Sequence, residues 1–150
     1  MFIPTLLLKK LYTLGSLTNV EQGVRFGIKN RLSNVDITAV LSVAIDGAPV
    51  SLDQVAIHLP GGRILTASAV SASTPVDFPL GMVFTLVAKR APIDPGKHTI
   101  ALSVKTKTFG KLSFDVEDTI QEGTHQLVRI PRDAEDDYSP AAIKARQEFI

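Results

Sequence analysis

The sequence predicts an all-β fold, an antiparallel β-sandwich of seven or eight strands with a short C-terminal helix on an extended tail. Apolar and polar residues alternate over most of the chain up to Ile120, which is the period of a strand with one buried face. Turn-forming residues interrupt this alternation at intervals of roughly 8–12 residues. No long segment with the helical period lies between the alternating stretches, so an α/β fold is not expected.

Five stretches alternate most clearly, and each is expected to bury one face. Asp46-Gly47 directly follows the second stretch and predicts a tight hairpin turn, because both residues tolerate a positive φ. In that second stretch the expected buried face starts at Val35 and includes Ala39 and Leu41, with Val40 as an exception to the alternation. The five stretches are residues 24–30, 35–45, 81–89, 98–106 and 111–120.

Three weaker stretches complete the strand count: residues 5–14, 55–59 and 63–70. Pro60-Gly61-Gly62 separates the last two and predicts a hairpin turn. A phosphate-binding loop is not expected there, because the Gly-Lys-Ser/Thr ending is missing. The sandwich domain is expected to span residues 1–128.

Residues 129–150 differ in kind from the rest, since they are charged and lack a strand period. Ser139-Pro140 predicts the start of a helix that runs to Ile150, because Ser is a favoured N-cap and Pro suits the first helical position. The tail either wraps a partner or folds back over its own sheet, and the sequence leaves both open. The candidate partner-interface residues are Arg129, Arg132, Tyr138, Ile143 and Phe149.

Composition excludes several classes of function. The net charge is +1, from 16 basic and 15 acidic residues, so the electrostatic footprint of a nucleic-acid-binding protein is missing. There is no cysteine, which removes disulfides, thiol nucleophiles and Cys-rich zinc sites. No apolar run approaches the roughly 20 residues that span a bilayer. We expect a cytoplasmic protein that binds neither nucleic acid nor membrane.

No group of residues with catalytic or metal-binding spacing stands out. The three histidines, His58, His98 and His125, lie far apart and lack neighbouring ligands, so no metal, cofactor or catalytic residue is expected in this chain. The acidic residues fall into two groups, each interpreted as a solvated surface or strand end. A basic group is interpreted as a solvated strand edge. The first acidic group is Asp115, Glu117 and Asp118, and the second is Asp133, Glu135, Asp136 and Asp137. The basic group is Arg25, Lys29 and Arg31.

Several segments together resemble a known family. They are GSLTNVE at 15–21, GVRFGIKN at 23–30, VAIDGAPV at 43–50, FTLV at 84–87 and IDPGKHTI at 93–100. In order and spacing they resemble the small β subunit of bacterial C-glycoside deglycosidases. The resemblance covers the chain from about residue 14 to residue 120, and it gives no catalytic residue that can be transferred to this sequence.

The resemblance implies a non-catalytic subunit of a carbon–carbon lyase. Its partner would be a larger barrel-type α subunit that holds a divalent metal, usually manganese, and the complex would cleave 3-oxo-C-glycosides. This chain would then stabilise or cover the active site of the α subunit. Two alternatives stay open from the residues: a stand-alone binding module for carbohydrate or protein, and a structural homo-oligomeric domain.

Overall fold

Two antiparallel β-sheets face each other in the computed structural model, which describes residues 3–120. The first sheet has the strand order β1-β2-β8-β5-β6, and the second has the order β10-β9-β3-β4, with β7 also paired to β3. This arrangement confirms the predicted all-β sandwich. The strands are β1 (Thr18–Val20), β2 (Gly23–Lys29), β3 (Val35–Ile45), β4 (Ala48–Pro49), β5 (Val55–His58), β6 (Ile64–Thr66), β7 (Val76–Phe78), β8 (Val83–Ala88), β9 (Gly96–Thr106) and β10 (Gly110–Ile120).

One apolar core fills the space between the sheets. Alternate residues of β2, β8 and β5 point into it from the first sheet, and those of β3, β9 and β10 from the second. Two aromatic rings, Phe78 and Phe84, stack at 4.3 Å between centroids and join the sheets. Burying each large side chain contributes about 1.5–3 kcal/mol, so this core is the main source of stability. Its residues without measurable exposure are Val24, Phe26, Val43, Ile45, Ala67, Ala88 and Ile100.

Strand β3 departs from the alternation that the sequence predicts. Its register against β9 shifts twice, between Ile37 and Ala39 and again between Val40 and Ser42. Each bulge inserts one residue and moves the following side chain to the other face. Val40 is therefore buried and Leu41 is 43% exposed, so the prediction that Leu41 belongs to the core face was wrong.

The N-terminal segment is helical, and the prediction of a strand at residues 5–14 was wrong. Helix α1 (Thr5–Leu8) is followed by a 3-10 helix, Lys9–Leu11, and a single bridge joins Tyr12 to Ile28. Three consecutive leucines have no alternation, and leucine is a strong helix former. The helix lies against β10, where Leu8 is buried.

The predicted turns are confirmed at the two hairpins. Asp46 and Gly47 have φ values of 53° and 79°, which belong to the turn type that matches the twist of paired strands. Gly61 and Gly62, both at φ 82°, connect β5 to β6. The strand predicted at 63–70 is shorter than expected, because a 3-10 helix (Ala67–Ala69) follows Thr66.

Candidate functional site

Asp118 holds the N-terminal segment against the last strand. It continues the inward-facing row of β10 and is only 7% exposed. The Tyr12 hydroxyl donates to its Oδ2 at 2.7 Å, and the N–H groups of Gly15 and Leu17 donate to the carboxylate at 3.0 and 3.2 Å. The interpretation of Asp118 as an exposed strand end was wrong, whereas Asp115 and Glu117 are exposed as expected.

Tyr12 is buried beside this carboxylate. Burial, and then the hydrogen bond to the Asp118 carboxylate, raise the pKa of the Tyr12 hydroxyl far above its usual value. The phenol therefore stays protonated and donates at every ordinary pH. Its ring stacks on Phe26 at 5.8 Å, so the residue has a structural role.

Asn30 is a second buried polar group whose hydrogen bonds are all internal. Its side-chain nitrogen donates to the carbonyl oxygens of Ser33 and Phe78, and its side-chain oxygen accepts from the N–H groups of Leu32 and Ser33. A buried amide costs little free energy when it is satisfied in this way. Asn30 fixes the loop after β2 and offers nothing to a ligand.

The one ion pair among the described residues joins two turns. His98 Nδ1 lies 2.6 Å from Asp46 Oδ2, and its Nε2 lies 2.6 Å from the backbone oxygen of Asp94. Burial opposes protonation of the imidazole, but the hydrogen bonds to Asp46 and Asp94 outweigh it and raise the pKa of His98. The hydrogen bond from His98 lowers the pKa of Asp46, assisted by the N–H of Thr99. Both ring nitrogens have an acceptor, so this pair links turns and has no group left for proton transfer.

Several predicted features lie outside the described residues. They are the C-terminal helix, the second acidic group and the candidate interface residues Arg129, Arg132, Tyr138, Ile143 and Phe149. Within residues 3–120, no three His, Asp or Glu side chains come together as a metal site. In the same range, no helix has both the length and the apolar content to cross a membrane.

An open cleft of about 530 Å³ lies on the outer face of the first sheet, and we call it the outer cleft. Cross-strand register places Arg25, Val87 and Ala56 side by side on β2, β8 and β5. Two residues further along these strands, on the same face of the sheet, Thr85 of β8 lies opposite His58 of β5. The lining residues are Val20, Gln22, Arg25, Ala56, His58, Ile64, Thr85, Val87 and Lys89.

The outer cleft combines cationic and hydrogen-bonding groups with an apolar floor. Ala56 and Ile64 supply accessible apolar surface, whereas Val87 is 6% exposed although it lies outside the core cluster. Lys89 supplies positive charge, and Thr85 and His58 supply hydrogen-bonding groups. None of the lining residues is Asp or Glu. Such a surface suits a small anionic ligand that has an apolar part, and its size lies within the usual range for ligand sites.

Sequence reasoning missed this cleft. The sequence predicts that Arg25 shares a solvated strand edge with Lys29 and Arg31, but the Arg31 guanidinium donates hydrogen bonds to the backbone oxygens of Lys10 and Tyr12. The sequence gives no signal at His58, because no other potential ligand lies near it along the chain. The missing information is the pairing of β2, β8 and β5, which the linear pattern does not contain.

Comparison with known families gives one decisive finding. The model of the family described as "Hydroxymethylglutaryl-CoA reductase, N-terminal domain" matches residues 7–121. The chain belongs to this family. The match runs from helix α1 to one residue beyond β10 and so takes in both sheets. Among curated proteins, none matches the sequence significantly.

Membership of the hydroxymethylglutaryl-CoA reductase N-terminal domain family overturns the resemblance drawn from the sequence. The chain is not assigned to the C-glycoside deglycosidases, and both alternative functions also lack support. The segments that carried the resemblance consist of strand alternation and Asp-Gly or Pro-Gly turns, which any β-sandwich requires. The expected barrel-type α subunit, its manganese and the 3-oxo-C-glycoside substrate stay untested predictions, but the resemblance on which they rested is wrong.

Proposed function

We propose that this chain is a non-catalytic domain of a hydroxymethylglutaryl-CoA reductase, and that its outer cleft binds the anionic acyl-CoA. The family match over residues 7–121 carries the proposal. It also supplies the ligand class, because the acyl-CoA in the family's name bears a carboxylate and phosphates. We also place the domain in the cytoplasm, because a chain without cysteine suits a reducing compartment.

The polar groups of the described residues support a binding role without chemistry. The carboxylate of Asp118, the amide of Asn30 and the His98–Asp46 pair each have their hydrogen-bonding atoms engaged within the fold. A general acid or base needs a proton position directed at substrate, and none of these groups has one. The groups that transfer a hydride and a proton to the substrate would therefore belong to another domain of the reductase.

The charges of the outer cleft support an anionic ligand. Lys89 is exposed at the end of β8, where its ammonium can approach a carboxylate or phosphate. None of the residues that line the outer cleft is Asp or Glu. The apolar side chains of Ala56 and Ile64 can contact the methyl and methylene groups of the acyl chain.

The test is calorimetric titration of the full chain with hydroxymethylglutaryl-CoA, 3-hydroxy-3-methylglutarate and free coenzyme A. We expect saturable binding of the first ligand, and the other two identify whether the carboxylate or the phosphates supply the affinity. Lys89→Gln should weaken binding about tenfold, because a hydrogen bond to a charged group contributes roughly 1.5 kcal/mol. Affinity should also fall as salt is raised.

Lys111→Gln is the matched control, because Lys111 is equally exposed but lies on β10 in the other sheet. It should leave the affinity unchanged. An equal loss of affinity in both variants, or no binding to the wild-type chain, would contradict the proposed ligand. If the isolated chain reduced the acyl-CoA with a reduced nicotinamide cofactor, the proposal of a non-catalytic domain would be wrong.

A further inference from the structure

Strand β10 is a long strand at the edge of the second sheet. It pairs with β9 along its whole length, and it is the first strand in the order β10-β9-β3-β4. Within residues 3–120, no backbone hydrogen bond joins its other edge to a second strand. Alternate N–H and C=O groups at such an edge point away from the neighbouring strand, so they can pair with a further segment.

A wide groove of about 920 Å³ lies beside this strand, and we call it the edge groove. Three consecutive residues of β10 line it, Asp115, Val116 and Glu117. The Val116 side chain points into the core and its two neighbours point outward, so a groove that touches all three follows the backbone edge. The opposite wall belongs to the N-terminal segment and includes Leu6 and Leu14, which are 75% and 71% exposed.

The sequence that directly follows β10 has the pattern of a strand that returns along it. Residues 121–123 read Gln-Glu-Gly, and a three-residue hairpin loop commonly ends in a glycine in the left-handed region. Beyond this loop, Val128 and Ile130 would share one face of a strand and Arg129 would lie on the other. A loop of three residues would place Val128 opposite Val116, Ile130 opposite Phe114, and Arg129 opposite Asp115.

We propose that residues 124–130 of this chain occupy the edge groove as a further strand, antiparallel to β10. Their two apolar residues then extend the inward row of β10. Arg129 meets the carboxylate of Asp115 directly and that of Glu117 on the diagonal. Within residues 3–120, neither carboxylate has an ion-pair partner.

The covalent connection favours this occupant over a second copy or another protein. The proposed strand starts four residues after Ile120, the last residue of β10, so its effective concentration at the edge is in the millimolar range. The groove also contains positive charge, from Lys9 and Lys10 on its opposite wall, and the acidic run at residues 133–137 begins four residues after Arg129. The inference concerns the second sheet and does not depend on the ligand proposed for the outer cleft.

Engineered disulfides test the pairing in the full chain, which has no cysteine of its own. We expect Asp115→Cys combined with Arg129→Cys to form an intramolecular disulfide, because directly opposite residues of an antiparallel pair lie within bonding reach. Asp115→Cys combined with Val128→Cys is the matched control. It should oxidise at least tenfold more slowly, because the second cysteine is on the other face. Equal rates, or a disulfide that links two chains, would overturn the proposal, and the latter would identify a second copy as the occupant.

Charge reversal tests the ionic contact by a separate measurement, amide hydrogen exchange followed by NMR. Arg129→Glu puts a like charge opposite Asp115 and should speed exchange at the outer edge of β10 at least tenfold. Adding Asp115→Arg exchanges the two charges and should restore the wild-type rate. Arg132→Glu makes the same change beyond Pro131 and should alter the rates less than twofold. Outer-edge amides that exchange freely in the wild-type chain, or no recovery in the double variant, would overturn the proposal.

Discussion

Two aspartates each form hydrogen bonds to segments that are distant in sequence, but one carboxylate is buried and the other is exposed. Asp118 is buried, and its carboxylate accepts hydrogen bonds from Tyr12, Gly15 and Leu17, more than 100 positions earlier. Asp46 is about half exposed and binds one imidazole and one N–H group. A buried carboxylate loses its hydration and needs several donors, whereas an exposed one keeps water as an alternative partner. The same side chain should therefore differ several-fold in its contribution to stability.

Removing the buried carboxylate should have the largest effect. We expect Asp118→Ala to lower the free energy of unfolding by about 3–5 kcal/mol, because the buried donors of Tyr12 and Leu17 lose their acceptor. Urea unfolding followed by circular dichroism measures this change. Glu117→Ala, one position earlier and exposed, should cost less than about 0.5 kcal/mol. A similar cost at both positions would contradict the role assigned to Asp118.

Removing one donor should have a smaller effect. Tyr12→Phe keeps the ring that stacks on Phe26 and deletes only the hydroxyl, so we expect a loss of about 1.5–2 kcal/mol. The same change made in the Asp118→Ala background should cost much less, because the hydroxyl then has no carboxylate to bind. Additive losses would show that the two groups act independently.

The exposed pair should contribute least, and its contribution should depend on pH. The pKa of Asp46 is lowered by folding, so its contribution is present above about pH 4 and is lost as pH falls through the folded value. The pKa of His98 is raised, so its contribution is present below about pH 6.5 and is lost as pH rises through the folded value. The pair should therefore stabilise most between about pH 4 and 6.5.

Asp46→Asn tests this window, since asparagine also tolerates the positive φ at this position. The difference in unfolding free energy from wild type should stay below about 1 kcal/mol and be largest near pH 5. It should shrink toward pH 9. Asp77→Asn, at an exposed position of β7, is the control and should change the free energy of unfolding by less than about 0.5 kcal/mol. A difference for Asp46→Asn that grows above neutral pH would contradict the pairing with His98.

The sequence predicted what depends on local pattern. The buried faces of β2, β8 and β10 follow from alternation, and the turn at Asp46 follows from its backbone preference. Val40 and Leu41 could not be placed, because the bulges in β3 arise from its register against β9 and leave no local signal. The role of Asp118 could not be predicted either, because its partners come from the other end of the chain.

The outer cleft was equally beyond prediction. The cleft depends on the order in which β2, β8 and β5 pair, since Arg25 and His58 are far apart in sequence.

The position of Asp118 has a consequence for biosynthesis. The ribosome makes Tyr12, Gly15 and Leu17 early and their common acceptor more than 100 residues later. Until β10 has emerged, helix α1 lacks the strand against which it packs, and Leu8, which is buried in the folded domain, stays in contact with solvent. Closure of the domain must therefore be a late event that joins the first and last parts of the described sandwich, which makes folding slow and sensitive to truncation before residue 118.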